Sequence, residues 1–377
     1  MNILILANHF NPGGISSYIL NLGQGLVARA HKVYVASGGG VWVPRLKRYN
    51  LEHIYLPLRT KSIMSPRLFF AYVALGRVLK EKQIDIIHSQ TRISAVVASW
   101  MSSKTSIPFV YTAHGFLKPR WARRMFPCWG KLVIAISQPV KEQLLSDFGL
   151  AEDRIRLVHN GIDVSRPQAT GHKPEGGGLA SNSQSHRSQE IKRSYGLREG
   201  PVVGIIARLS EVKGHKYLIM AMKKVIQEIP NAQLLIIGEG SIKKGLQDLT
   251  EKLGISRNVY FIPVVLDTAE ALSVMDAFVM PSLQEGLGLS IMEAMLAQVA
   301  VVASNVGGIP SLIKDRETGR LVKPAEPDSL ACAIIELLKN KEKAAMLGER
   351  ARDLIRKEFS LEKMAEETER VYQECLS

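Results

Sequence analysis

Short apolar runs alternate with helix-length stretches along most of this chain, and that alternation admits few folds. "NILILA" (2–7), "KVYVAS" (32–37), "IDIIHS" (84–89), "PFVYTA" (108–113) and "KLVIAIS" (131–137) are such runs. Stretches such as "ISSYILNLGQGLVARA" and "SPRLFFAYVALGRVLKEK" lie between them. A strand that is apolar at successive positions is covered on both faces, and parallel strands need a crossover, here a helix. The alternation stops in "RPQATGHKPEGGGLASNSQSHRSQE" (166–190), which is poor in large apolar residues and reads as a flexible connection. It restarts with "PVVGIIA" (201–207), "AQLLIIG" (232–238), "NVYFIP" (258–263), "DAFVMPS" (276–282) and "AVVAS" (300–304), and the end of the chain is helical. The fold class expected is α/β, with two Rossmann-like, doubly wound domains facing across a cleft. The expected boundaries are 1–165, a linker over 166–192, 193–358, and a last helical segment over 359–377.

Charge separates these parts. Residues 1–150 hold 19 Lys and Arg against 5 Asp and Glu, whereas the other 227 residues hold 30 of each, so the net +14 lies entirely in the first part. Such a basic half points to an anionic partner, and a solvated basic face remains the alternative. Three scattered cysteines, Cys128, Cys332 and Cys375, with no CxxC, argue against a disulfide framework or zinc site and fit a reducing cytosol. "MNILILANHF" reads as a first buried strand rather than a signal peptide, and no apolar run approaches the ~20 residues of a spanning helix.

The motifs with chemistry follow strand ends. "NPGGISS" (11–17) opens a helix with Gly13 and Gly14, which suits a phosphate or a plain tight turn. In "YTAHGF", His114 follows a strand and is either a cleft donor or a structural histidine. "ARLSEVKGH" sets Arg208 and Lys213 beside a helix start, an arrangement suited to a diphosphate. "IGEGS" offers Gly238 to a nucleotide or to a turn. "PSLQEGLGLSIMEAM" (281–295) holds Glu285 in a loop and Glu293 in a helix. Two acids accepting hydroxyl hydrogen bonds and a hydrolytic pair are both readings of it. Ser290-x-x-Glu293 also matches a capping box, which would explain Glu293 with no ligand.

In this order and spacing, the motifs resemble those of the family 4 glycosyltransferases, retaining enzymes of the GT-B fold. The resemblance covers nearly the whole chain outside 166–190. "PSLQEGLGLSIMEAM" is similar to the family's PSxxEGFGLPxxEAM, and the early "GG", "YTAHG", "HNGID" (159–163), "ARLSEVKG" and "VGGIP" (306–310) are in the family's order. The resemblance implies that Gly14 approaches the donor phosphates and that His114 faces the donor sugar. Arg208 and Lys213 would hold the diphosphate. Glu285 would contact sugar hydroxyls, Gly286 and Leu287 would offer backbone N–H groups, and Glu293 would bind ribose. Asn160 and Gly238 complete the expected donor-binding set, and the last helix would return to the first domain. The chain departs from the pattern at Ser290, Pro263 and Ser311.

The resulting expectation is metal-independent transfer from a UDP- or GDP-linked sugar to a glycan or lipid-linked acceptor, as in polysaccharide or lipopolysaccharide synthesis. With no DxD in the chain, Arg208 and Lys213 would act as the electrophile, and no further cofactor or metal is expected. Residues 59–80 and 116–131 mix cations with Phe, Trp and Met, a mixture that suits a membrane interface or a lipid-linked, phosphorylated acceptor. Core helices with basic outer faces are the alternative. A cytoplasmic location, with or without peripheral attachment to the inner face of the membrane, follows. A nucleotide-sugar epimerase of the same fold and a non-catalytic nucleotide-sugar-binding subunit are the rival readings. Nucleic acid is not expected as a partner, because no recognition motif accompanies the charge.

Overall fold

The computed structural model describes residues 1–60, 62–119, 123, 125, 127–165, 179–265 and 267–377. They form two compact units, Met1–Asp163 with Phe359–Ser377, and Val164–Glu358. Among them no helix is long and apolar enough to cross a membrane.

The first unit is built on a seven-stranded sheet. Its strands are β1 (Asn2–Leu6), β2 (Lys32–Ser37), β3 (Glu52–Tyr55), β4 (Ile86–Ser89), β5 (Phe109–Ala113), β6 (Leu132–Ala135) and β7 (Ile155–Leu157). All pairings are parallel, in the order β3-β2-β1-β4-β5-β6-β7. β1 shows why the sheet must be sandwiched. Ile3 and Ile5 point to one face, where the helices Gly14–Ala28 and Leu361–Leu376 supply Leu22, Leu26, Met364 and Val371. Leu4 and Leu6 point to the other, against Leu68, Leu75 and Val97 from the helices Pro66–Glu81 and Arg92–Thr105. Period-two alternation with both phases apolar therefore needs a helical layer on each side.

The second unit carries β8 (Val202–Ile206), β9 (Gln233–Ile237), β10 (Val259–Ile262), β11 (Ala277–Met280), β12 (Ala300–Ser304) and β13 (Arg320–Val322). They are likewise parallel, in the order β10-β9-β8-β11-β12-β13. The strand order reverses between β1 and β4 in one sheet and between β8 and β11 in the other. Those reversals open crevices at the carboxyl ends of the strands.

The expected flexible connection is in part a helix, Leu179–Ser194. No proline or glycine interrupts 179–194, whereas Pro174 and Gly176–Gly178 precede it. Residues 166–178 of that connection lie outside the described residues.

One polar cluster sits inside the first core. His88, fully buried on β4, bonds Tyr372 Oη through Nδ1 at 2.6 Å and Thr112 Oγ1 through Nε2 at 2.6 Å. Tyr372 belongs to the Leu361–Leu376 helix, so this histidine ties that helix to the sheet. Burial pushes the His88 imidazole from its ordinary 6.5 down to about 3. The unfolded chain binds this proton near pH 6.5, whereas the folded unit binds it only near 3. The stability that follows is full above about 6.5 and is lost as pH falls toward 3. The melting temperature should fall between pH 7 and 4, and His88→Gln should flatten that fall. An equal pH slope in the variant would place the acid sensitivity elsewhere.

Candidate functional site

In the second unit, the residues expected to carry chemistry gather at the β8/β11 reversal. Arg208 follows β8 and is exposed. Lys213 ends the 3-10 turn Glu211–Lys213, and Gly214 then caps the helix His215–Glu228. Gly214 has φ +69°, and a Cβ there would lie 1.9 Å from the Pro281 carbonyl oxygen. Only glycine lets the post-β8 loop pack this closely on the post-β11 loop. The Leu283 N–H donates to the Val212 carbonyl at 2.8 Å, joining the same two loops.

Their side chains meet as well. Lys213 Nζ donates a short, charge-assisted hydrogen bond to Glu285 Oε2, which also accepts from Ser282 Oγ at 3.3 Å. The Lys213 and Glu285 side chains are 22% and 12% exposed, so water screens the pair little. The Gly308 N–H, from "VGGIP", donates to the Glu285 carbonyl at 3.1 Å and braces this loop from the β12 side. Gly286 is half-buried. The Leu287 side chain is buried, so this residue offers a ligand only its backbone.

The capping-box reading of Glu293 does not hold. The helix runs Leu289–Leu296 with Gly288 as its N-cap at φ +105°, and Ile291 and Met292 donate to the Gly288 carbonyl at 3.1 and 3.2 Å. Ser290 therefore lies inside the first turn, where it cannot be the cap, and Glu293 is half-buried in the second turn. The helices starting at Gly14, His215 and Leu289 have glycine N-caps at positive φ, so their first-turn N–H groups receive no bond from an N-cap side chain. Gly238 has a structural explanation. At φ +147° it presses on the Ala207 carbonyl, which a Cβ would approach to 2.1 Å, and so seats the β9 loop on the Arg208 loop.

In the first unit, His114, just after β5, meets a residue that the motifs did not single out, Gln90, while Gly14 opens the helix after β1. Gln90 follows β4, and its N–H donates to the Leu6 carbonyl of β1 at 2.9 Å. Its side-chain Oε1 lies 2.7 Å from His114 Nε2. Tyr18, from the Gly14–Ala28 helix, meets the His114 ring edge-on at 4.7 Å between centroids and lies 3.5 Å from Thr112 Oγ1. Desolvation holds the His114 pKa down to about 3, so the ring is neutral at neutral pH. Asn160 follows β7, away from the β1/β4 reversal. It is 4% exposed, and its Oδ1 has no hydrogen-bond partner among the described residues.

The cationic surface divides differently from expectation. Trp129 is core, 5% exposed and packed against Tyr111 and Phe148, and Lys131 Nζ donates to the Cys375 carbonyl at 2.9 Å. Residues 120–122, 124 and 126 of the 116–131 stretch lie outside the described residues. The helix Pro66–Glu81 instead exposes Phe69 and Phe70, at 65% and 64%, beside exposed Arg67, Arg77 and Lys80. Among the described residues no three His, Cys, Asp or Glu group so as to hold a metal ion.

Two doubly wound parallel units of this kind are the GT-B architecture. A crystal structure of Anabaena Alr3699/HepE in complex with UDP and glucose matches over 99% of both chains, with a TM-score of 0.83 and 21% identity. Another, of WaaG, a glycosyltransferase involved in lipopolysaccharide biosynthesis, matches over 98% of this chain and 99% of its own, with a TM-score of 0.74 and 17% identity. The model described as "Glycosyltransferase Family 4" matches residues 12–166, and that described as "Glycosyl transferases group 1" matches residues 187–354. The chain belongs to this family of glycosyltransferases. An uncharacterised glycosyltransferase of Methanocaldococcus jannaschii, MJ1607, is 27% identical over 99% of this chain and 98% of its own length. A GDP-mannose-dependent monoacylated alpha-(1-6)-phosphatidylinositol monomannoside mannosyltransferase of Corynebacterium glutamicum is 27% identical over 98% and 97%.

Proposed function

We propose that the protein transfers a hexosyl or related sugar from a UDP- or GDP-linked donor to a glycan or lipid-linked acceptor, with retained anomeric configuration. The observation that carries this reading is the Lys213–Glu285 pair at the β8/β11 reversal, flanked by Arg208 and two glycine-capped helix starts. A cation beside uncapped N–H groups suits a diphosphate, and a carboxylate beside it suits sugar hydroxyls. The names of two similar proteins support a nucleotide-linked donor, one being GDP-mannose-dependent and the other bound to UDP and glucose.

In this mechanism Arg208 and Lys213 donate to the diphosphate and stabilise the negative charge that grows as the bond from the sugar's anomeric carbon breaks. They take the electrophile's part, so the reaction needs no metal. Glu285 keeps Lys213 in place and accepts from a sugar hydroxyl. Glu293 accepts from the ribose, and the backbone at Gly14, Gly286 and Leu287 contributes N–H donors. Gly238 shapes the donor loops. His114, neutral and half-buried, hydrogen-bonds the sugar without adding a charge. The acceptor oxygen bonds the anomeric carbon on the face the diphosphate leaves, and its proton passes to a leaving phosphate oxygen. Arg208→Ala should lower kcat/KM about 100-fold or more against the best of a UDP-, GDP- and ADP-sugar panel. Chelator should leave transfer unchanged. Full kcat/KM in the variant would remove Arg208 from the mechanism, and sugar-nucleotide isomerisation without acceptor would favour an epimerase.

The acceptor and membrane side of the proposal falls on the basic first unit, in polysaccharide or lipopolysaccharide synthesis at the inner face of the cytoplasmic membrane. Phe69 and Phe70, flanked by Arg67, Arg77 and Lys80, support an anionic lipid surface as partner. The protein should sediment with anionic vesicles at low salt and release at high salt, and Phe69→Ser with Phe70→Ser should weaken that binding. Absence of binding at low salt would refute it.

A further inference from the structure

His114 is an imidazole with two nitrogens, and what it can do depends on which one carries the proton. Its Nε2 lies 2.7 Å from Gln90 Oε1, and Nδ1 makes no hydrogen bond among the described residues. An amide oxygen only accepts, so a neutral ring bonded to it must hold its hydrogen on Nε2. Nδ1 is then left as a lone-pair acceptor. Gln90 is well fixed for this task. It is 2% exposed, and its N–H is pinned to the Leu6 carbonyl at the end of β1. Tyr18 packs against the same ring in a T-shaped contact, 4.7 Å between centroids.

We propose that Gln90 is a positioning residue of the active site that locks His114 as the neutral Nε2–H tautomer and so makes Nδ1 the nitrogen that receives a hydrogen bond from a sugar hydroxyl. The inference rests on the reading of His114 as a residue of the reaction centre. Gln90 also has a second resource. Its Nε2 is buried with no hydrogen-bond partner among the described residues, and an unsatisfied buried donor is costly to keep. A donor held unpaired beside His114 gains a partner when a hydroxyl-rich ligand arrives, so the amide can serve the ring through its oxygen and the ligand through its nitrogen. Sequence spacing could not connect residues 24 positions apart on different strands. The parallel register that sets Ser89 beside Tyr111 does so.

The test combines a spectroscopic readout with kinetics in the full-length chain. With 15N-labelled histidine, and His114 assigned by its loss in His114→Gln, long-range proton–nitrogen correlation reports the tautomer directly. The expected wild-type signal is protonated Nε2 and bare Nδ1 from pH 5 to 8. In Gln90→Leu the ring should become a tautomer mixture, with kcat lowered roughly tenfold and donor KM within twofold. Gln90→Glu keeps an acceptor at the same place. It should restore the Nε2–H signal and, by adding a negative charge, move the acid limb of the kcat profile to higher pH. A wild-type ring protonated on Nδ1, or an unchanged tautomer in Gln90→Leu, would overturn the inference while leaving the glycosyltransferase reading intact. Absence of transfer with every donor, beside the expected wild-type tautomer, would instead count against the function.

Discussion

A parallel strand covered on both faces has no side on which to place a functional polar group. In this chain the constraint is complete over the central strands. β1, β4, β5, β8, β9, β11 and β12 are buried along nearly their whole length, and helices cover both faces of the first sheet. A polar group that is to reach a ligand is therefore confined to the strand ends, and His88 and Thr112 inside β4 and β5 bond one another instead. Of the two ends, the carboxyl end is where crossover helices begin and present their N–H groups. The order reverses between β1 and β4, and between β8 and β11, where successive crossovers leave to opposite sides. Gln90, bonded to His114 from the end of β5, lies at one reversal, and Arg208, Lys213, Glu285 and Glu293 at the other.

Within the second unit, the two acids of "PSLQEGLGLSIMEAM" have different physical situations. Glu285 is held by Lys213 and Ser282, and its backbone is braced by Gly308, so its carboxylate is fixed by a cation before any ligand binds. Glu293 rides on the second turn of a helix whose start is set by Gly288, not by Ser290. That position of the helix start removes the capping box as the explanation of Glu293. Lys213 is both the partner of a carboxylate and the residue before a glycine-capped helix start. In the proposed mechanism a donor diphosphate would compete with Glu285 for the same ammonium group.

Much of this was legible in the chain. Central strands read clearly because both faces demand apolar residues. β3, β7 and β13 did not, because they are short edge strands with one side unpaired, and "EHIY", "IRL" and "RLV" carry polar residues accordingly. Arg208, Lys213 and Glu285 were legible as motifs, but their direct contact was not, since Lys213 and Glu285 are 72 positions apart. Gln90 left no motif at all. Its role comes from one hydrogen bond across neighbouring strands. Trp129 misled, because an aromatic beside cations reads as an interface whether the ring faces out or, as here, into the core. The capping box misled because Ser-x-x-Glu spacing fixes a register only when the serine starts the helix.

In the proposed function, the loops after β8 and β11 form the nucleotide-sugar donor site. Amide hydrogen exchange with and without nucleoside diphosphate measures this most directly, because exposed loop N–H groups that bond a ligand are protected. Exchange should slow in peptides covering 208–215 and 285–293 on adding UDP or GDP, and that protection should be lost in Lys213→Met. Protection confined to other segments, or none at saturating nucleotide, would contradict it.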